Sequence, residues 1–194
     1  METNRLYPVF LKASQLNILI IGGGKVALEK LTFLLKSSPD AKVSLLAKHF
    51  LPEIMELIVQ YQLNYEERAY NSEVLEGKQL IIAATNDSAV NKQVVLDAKE
   101  VNILINVADV PDLCDFYLGG IVTKGAVKIA ISTNGQSPTL AKRLRQFLEA
   151  VLPDDIALLA DNLREYRSLL KTDLDIRVSR LNDLTQGLLS KTEN

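Results

Sequence analysis

A short apolar run that ends in three consecutive glycines and restarts with helical spacing leaves a chain few architectures. Residues 17–21 (NILII) run directly into Gly22-Gly23-Gly24-Lys25-Val26-Ala27. After that, Val26, Leu28, Leu31, Leu34 and Leu35 fall on one helical stripe. Strand, tight turn and helix in that order satisfy the G-x-G-x-x-A form of the dinucleotide fingerprint. Each residue type has its reason. Gly22 permits the turn, Gly24 lets the backbone approach a pyrophosphate, and Ala27 is small enough for the helix to lie close to the sheet. Gly23 completes the loop, and the N–H groups and dipole of the helix start meet the anion.

The stretches that follow repeat the alternation. Residues 42–47 (KVSLLA), 79–84 (QLIIAA) and 102–107 (NILINV) are near-continuous apolar runs, and 63–68 is a weaker, alternating one. Such runs read as strands buried on both faces, the signature of a parallel sheet. Between them, Ile54, Leu57, Ile58 and Tyr61 form a second helical stripe; Val90, Val94, Val95 and Ala98 form a third. The fold class is therefore α/β, a Rossmann-like doubly wound parallel sheet with right-handed crossovers. Beyond Pro111 the pattern changes: short strands over 116–118, 120–123 and 127–132, with Lys124-Gly125 as a turn signal, then a helix opened by Ser137-Pro138. That helix carries Leu140, Ala141, Leu144, Phe147, Leu148 and Val151 on one face. A segment this small buries little core alone, so it is expected to pack against a second copy of itself. After Pro153 the chain reads as charged helix, with Leu158, Leu163, Leu181, Leu184, Leu188 and Leu189 at bundle spacing and a fraying tail from Lys191.

Composition removes other classes. The 22 Lys+Arg and 24 Asp+Glu leave a net charge of -2, which argues against a nucleic-acid binder working through bulk electrostatics. One cysteine, Cys114, and one histidine, His49, leave no disulfide framework and no His/Cys zinc site, so no metal ligands are assigned. The apolar stretches are about half of a membrane span, and the first residues lack a signal-peptide core, so a cytoplasmic protein with no membrane contact is expected. No tyrosine is followed four positions later by lysine, Gly24-Lys25 lacks the setting of a P-loop, and neither H-E-x-x-H nor G-x-S-x-G occurs.

Several polar residues mark the strand ends. The second strand ends in Leu45-Leu46-Ala47-Lys48-His49, without the acid that grips the ribose hydroxyls. Backbone groups, Lys48 and His49 take its place, or belong to a solvated loop, and NAD against NADP stays open at this position. The fourth strand ends in Ala84-Thr85-Asn86-Asp87, where cofactor contact and helix N-capping by Asn86 or Asp87 are both open. The fifth ends in Asn106-Val107-Ala108-Asp109, where a carboxylate over the crevice accepts a proton, holds a cation or merely caps a loop. Between Gly120 and Ala150, Lys124, Lys128, Lys142, Arg143 and Arg145 face a single acid, Glu149, beside the helix start Thr133–Ser137. This is a local anion-receiving surface in a slightly acidic chain, or a solvated helix face.

Read in order, these motifs resemble a known family. Tyr7-Pro-Val-Phe-Leu11, the glycine loop with Glu29-Lys30, Ala83-Ala-Thr-Asn-Asp87 with Asn91, Asn106-Val-Ala-Asp109, Leu113-Cys-Asp-Phe116 and Ala130-Ile-Ser-Thr-Asn-Gly-Gln-Ser-Pro138 are similar to the siroheme synthase N-terminal module. That is the precorrin-2 dehydrogenase family, some members of which are also sirohydrochlorin ferrochelatases. The resemblance covers residues 6 to 152 and reaches the helical tail only in character. It implies a homodimer formed through the segment after the nucleotide-binding domain, NAD as cofactor, and precorrin-2, a tetrapyrrole ringed by carboxylates, as substrate. Dehydrogenation gives sirohydrochlorin, and Fe2+ is a further substrate where chelation accompanies it. The implied domains are 1–113 (NAD-binding), 114–152 (dimerisation) and 153–194 (C-terminal helical).

On this resemblance Asp109 is the catalytic residue. The resemblance carries NAD contacts over to Lys25, Val26, Lys48 and His49. With the glycine loop and the strand ends, the candidate cofactor contacts are Gly22, Gly23, Gly24, Lys25, Val26, Ala27, Lys48, His49, Thr85 and Asn86, and the candidate substrate contacts are Asn106, Thr133, Ser137, Lys142 and Arg145. A serine phosphorylated in some relatives corresponds to Thr133. Gly119-Gly120 stands where the family has Pro-Ala or Pro-Ser, and Thr133-Asn134-Gly135 where it has Thr-Gly-Gly. At 194 residues no room is expected for the methyltransferase domain of the fused enzyme. Two other readings stay open: a chelatase that has lost hydride transfer, and a non-catalytic dinucleotide sensor.

Overall fold

The structure is a computed structural model that describes residues 3–170 and 174–186. Leu188, Leu189 and the tail from Lys191 lie outside the described residues. The five apolar runs form β1 (Ile18–Ile21), β2 (Val43–Ala47), β3 (Asn64–Glu67), β4 (Leu80–Ala83) and β5 (Leu104–Val107). They pair in parallel in the order β3-β2-β1-β4-β5. The first three α-helices are α1 (Lys25–Ser37), α2 (Pro52–Tyr61) and α3 (Ser88–Glu100).

Both faces of the sheet are covered, which is why β1 and β4 are buried at every residue. Ile18, Ile20, Val43, Leu45, Leu80 and Ile82 point to one side, where Ala27, Leu31 and Leu35 of α1 and Ile54 and Ile58 of α2 meet them. Leu19, Ile21, Leu46, Ile81, Ala83, Ile105 and Val107 point to the other, against Val94, Val95 and Ala98 of α3 and Val74 and Leu75 of a short 3-10 turn. Each fully buried Leu or Ile contributes roughly 1.5–3 kcal/mol relative to exposure. The edge strand β3 is exposed at all of its positions.

Most strand ends differ from the sequence reading by a single residue; two departures are larger. Asn102 is left-handed (φ 56°) and, with Ile103 donating to Ala98 O at 2.9 Å, closes the end of α3, so β5 starts only at Leu104. Residues 116–118 form no strand: the chain there is tied to β5 by a side chain, through a 2.8 Å hydrogen bond from Asn106 Nδ2 to Phe116 O.

The remaining elements are β6 (Gly120–Lys124) and β7 (Val127–Ile131), an antiparallel hairpin, and the helices α4 (Pro138–Val151), α5 (Ile156–Leu169) and α6 (Leu174–Thr185). The hairpin turns at Gly125-Ala126, one residue later than the sequence signal, with Lys124 opposite Val127. The described residues divide into two compact units, within Met1–Gly119 plus Ser132–Thr139 and within Gly120–Ile131 plus Leu140–Asn194. Among the described residues of the second unit the buried apolar side chains are Val122, Ile131 and Leu170, and α4 buries none. Among the described residues, no helix is long and apolar enough to cross a membrane.

Asp87 settles the capping question at α3: its Oδ1 accepts from Ala89 N at 2.9 Å and Val90 N at 3.2 Å. Asp87→Ala should therefore cost about 1 kcal/mol in urea denaturation. Asn86→Ala, at an exposed neighbour with no capping bond, should stay within about 0.5 kcal/mol of the parent.

Candidate functional site

In a sheet ordered β3-β2-β1-β4-β5, the chain steps outward one way from β1 through β2 to β3, then returns past β1 to β4 and continues the other way to β5. The carboxyl ends of β1 and β4 therefore flank a crevice, the place where open α/β sheets bind ligands. The glycine loop occupies that point. Gly22 has φ 134°, donates to Leu46 O at 2.8 Å, and a Cβ on it would stand 2.4 Å from Ala84 O. Gly23 is tighter still: its Cβ would lie 1.9 Å from His49 O, and its own carbonyl accepts from Leu51 N at 2.9 Å. Gly24 is different. A Cβ there meets nothing within 4 Å.

The first two glycines thus fit the loop between neighbouring strand exits, and the third faces open space at the start of α1. That helix has no side-chain cap on Gly24 and no acid in its first turn. Its leading N–H groups carry partial positive charge with no acidic side chain in that turn, which is the environment a pyrophosphate requires. Ala27 is fully buried beneath this turn, so α1 lies directly on the sheet. Lys25 is exposed and Val26 half-buried. The residues present fit a dinucleotide.

Lys48 and His49 follow β2 at the same end of the sheet, both exposed. His49 Nδ1 lies 3.3 Å from Glu67 Oε1 at the end of β3. A carboxylate thus stands near the β2 exit after all, supplied by the neighbouring strand; a scan of β2 alone misses it. After β4, Thr85 and Asn91 lock the turn into α3. The Thr85 hydroxyl is 2.7 Å from Asn91 Oδ1, and Asn91 Nδ2 donates to Thr85 O at 3.0 Å. Asn91 is buried, so this pair holds the turn while Asn86 stays exposed beside it.

Asp109 follows β5 at that same sheet end. Ala108 N donates to Ala83 O at 2.9 Å, extending the β4–β5 pairing, and Val110 N donates to Val107 O at 3.3 Å. The second bond closes a tight turn whose third residue is Asp109, with φ 61°. Glycine or asparagine fits that position at least cost. An exposed aspartate held there is the kind of local strain that collects at working sites. Asn106, by contrast, is 6% exposed, and its amide is committed to Phe116 O.

The candidate substrate contacts divide between the two units. Thr133 and Ser137 fall with the first, where the Thr133 hydroxyl donates to Ser137 O (3.1 Å) and accepts from Ser137 N (3.3 Å). Asn134 and Gly135 are both left-handed, so asparagine fits where the family pattern has glycine. A Cβ at Gly120 would meet only ordinary contacts, so glycine is not sterically required at that strand entry. Lys142 and Arg145 lie on α4 in the second unit. Lys142 is exposed, whereas Arg145 is engaged by both Glu149 oxygens, at 2.6 and 2.7 Å. Lys124 is likewise paired, with Asp154, so the basic surface is partly neutralised within its own unit. Among the described residues no three His, Cys, Asp or Glu side chains group as metal ligands.

A parallel sheet with a glycine loop at its reversal point and an uncapped helix facing it defines a dinucleotide-binding domain. Comparison with known proteins agrees. The family pattern described as "Putative NAD(P)-binding" matches residues 9–120, and that described as "Sirohaem biosynthesis protein central" matches residues 124–150. The chain belongs to this NAD(P)-binding family, with the sirohaem central segment following it.

Siroheme synthase of Pseudoalteromonas atlantica is 35% identical over 180 residues, covering 93% of this chain and 37% of the relative. Siroheme synthase of Methylococcus capsulatus is 41% identical over 161 residues, covering 81% and 34%. The chain thus spans about a third of the length of these curated relatives. Among solved structures, SirC, a precorrin-2 dehydrogenase, matches with TM-score 0.77 and 27% identity over 92% of this chain and 89% of its own.

The loop geometry gives a direct test. Gly24→Asp, at a position with open space, should leave the melting temperature nearly unchanged. It should weaken NADH binding at least tenfold, about 1.4 kcal/mol, in a fluorescence titration. Gly23→Ala should instead destabilise the fold, because its Cβ has no room beside His49 O.

Proposed function

We propose that this protein oxidises precorrin-2 to sirohydrochlorin with NAD+ as acceptor. The observation that carries the reading is Asp109: a strained, exposed carboxylate at the same sheet end as the glycine loop. The membership of the chain in an NAD(P)-binding family and its likeness to SirC support it. In this reading the amides of the glycine loop and the first turn of α1 hold the pyrophosphate, and the side chains around Lys48 and His49 meet the adenosine half. NAD+ supplies the carbon that accepts hydride. Asp109 removes the accompanying proton from the macrocycle, so that one hydride and one proton leave as a further double bond enters conjugation.

The 114–152 segment is read as the dimerisation element of a homodimer working in the cytoplasm. Leu144, Phe147 and Val151 recur at helical spacing on α4 and are exposed, Phe147 to 61%. An apolar stripe of this kind is ordinarily covered.

Protein mixed with precorrin-2 and NAD+ should produce sirohydrochlorin and NADH, both read by absorbance; no NADH would overturn the reading. Asp109→Ala should lower turnover by about 10²–10⁴-fold with NAD+ affinity nearly unchanged. Full activity in that variant would remove Asp109 from the mechanism. In sedimentation, the parent should run as a dimer and Phe147→Asp as a monomer; a monomeric parent would defeat the assembly proposed.

A further inference from the structure

β5 is the edge strand next to Asp109, yet its outward main-chain groups are not left to water. Asp115 substitutes for a neighbouring strand at Ile105: its Oδ2 accepts from Ile105 N at 3.0 Å, and its own N–H donates to Ile105 O at 2.8 Å. Cys114 does the same at Val107. Its sulfur accepts from Val107 N at 3.2 Å, and the S–H reaches Val107 O at 3.2 Å and Val110 O at 3.4 Å. Beneath both, buried Asn106 donates to Phe116 O at 2.8 Å. Burial raises the Cys114 pKa, so the thiol keeps the proton that these donations need.

The residues so enclosed are 108–113, the loop that carries Asp109. A non-glycine residue in the left-handed region stays there only where its surroundings over-determine it. Here the loop is fastened at its start by Ala108 N to Ala83 O, across its middle by the Cys114 thiol to Val110 O, and at its end by Asp115.

We propose that Asn106, Cys114 and Asp115 are positioning residues: together they form a bracket that holds the Asp109 carboxylate in its working orientation, and none of them touches the substrate. This moves Asn106 from substrate contact to scaffold. It rests on the reading of Asp109 as the proton acceptor. Misplacement of a reacting group by about 1 Å costs on the order of 10²-fold in rate, so a bracket of hydrogen bonds has a kinetic consequence distinct from its effect on stability.

The experiment compares Asn106→Ala, Cys114→Ala and Cys114→Ser, alone and combined with Asp109→Ala. Thermal melts establish that each variant is folded. The readouts are kcat and KM for precorrin-2, NAD+ affinity, and affinity for sirohydrochlorin by fluorescence. For the two alanine variants, kcat should fall by about 10–100-fold while KM and both affinities stay within about threefold. Cys114→Ser, whose hydroxyl both accepts and donates, should recover most of the loss. In the Asp109→Ala background, the same changes should alter residual turnover by less than about twofold, because residues acting only through Asp109 have nothing left to position.

Losses that multiply with that of Asp109→Ala, or sirohydrochlorin binding weakened by Asn106→Ala in both backgrounds, would overturn the bracket and return Asn106 to the substrate. Should Asn106→Ala fail to fold, the Cys114 pair decides the matter alone. Full activity in Cys114→Ala beside an inactive Asp109→Ala defeats the bracket only. Full activity in Asp109→Ala defeats the functional reading and the bracket together.

Discussion

Three strand exits meet where Gly22 and Gly23 pass the carbonyls of Ala84 and His49, and the architecture depends on that contact being free of side chains. A single methyl at either position would collide with main chain rather than with a movable side chain. Neither neighbour has an easy way to yield, because Ala84 continues β4 and donates its N–H to Ile21 O at 2.7 Å, while the His49 segment is anchored through Leu51 to Gly23. Exclusion therefore fixes the loop as much as hydrogen bonding does. It also decides where α1 begins, and so where its unpaired N–H groups point.

Much of the first unit was legible from hydrophobic runs, because a strand covered on both faces has no polar alternation to confuse it with a surface element. The glycines were legible for a related reason: nothing but close approach explains three in a row between an apolar run and a helix. Other features were hidden. The bracket on β5 consists of bonds from side chains to main chain, and a run such as Leu113-Cys114-Asp115-Phe116 has no periodicity that announces them. Its apolar ends, with Tyr117 and Leu118 following, mimic a strand over 116–118. Asn106 sits where a crevice residue would sit, and only burial reveals that its amide faces Phe116. The choice of cap at α3 was open because Asn86 and Asp87 are equally good cap types; backbone geometry selects Asp87. Glu67 has no signal in the sequence, because the pairing of Ala47 with Glu67 is a matter of strand register, which local pattern does not fix.

The two units are stabilised unequally. The first has apolar layers on both sides of its sheet, with many side chains removed from water. Ordering a residue costs about 1–2 kcal/mol in backbone entropy, so such layers are needed to offset it. The second offers Val122, Ile131 and Leu170. Its hairpin is close-packed at one point: a Cβ on Gly125, at φ 54°, would sit 2.5 Å from the Ala157 side chain, so the turn leans directly on α5. That contact orders the hairpin without giving the unit a deep interior.

The bonds that Cys114 and Asp115 make to β5 also occupy a border of the sheet. An open sheet has two borders, and each is a template on which another chain can add a strand. On one border Glu66, Glu67 and Arg68 place charge along and beside exposed β3, which discourages such addition. On the other, Ile105 and Val107 already spend their outward amides and carbonyls on Asp115 and Cys114. Strand addition is thereby disfavoured by charge at one flank and by occupied main-chain groups at the other, which directs any gathering of copies towards other surfaces.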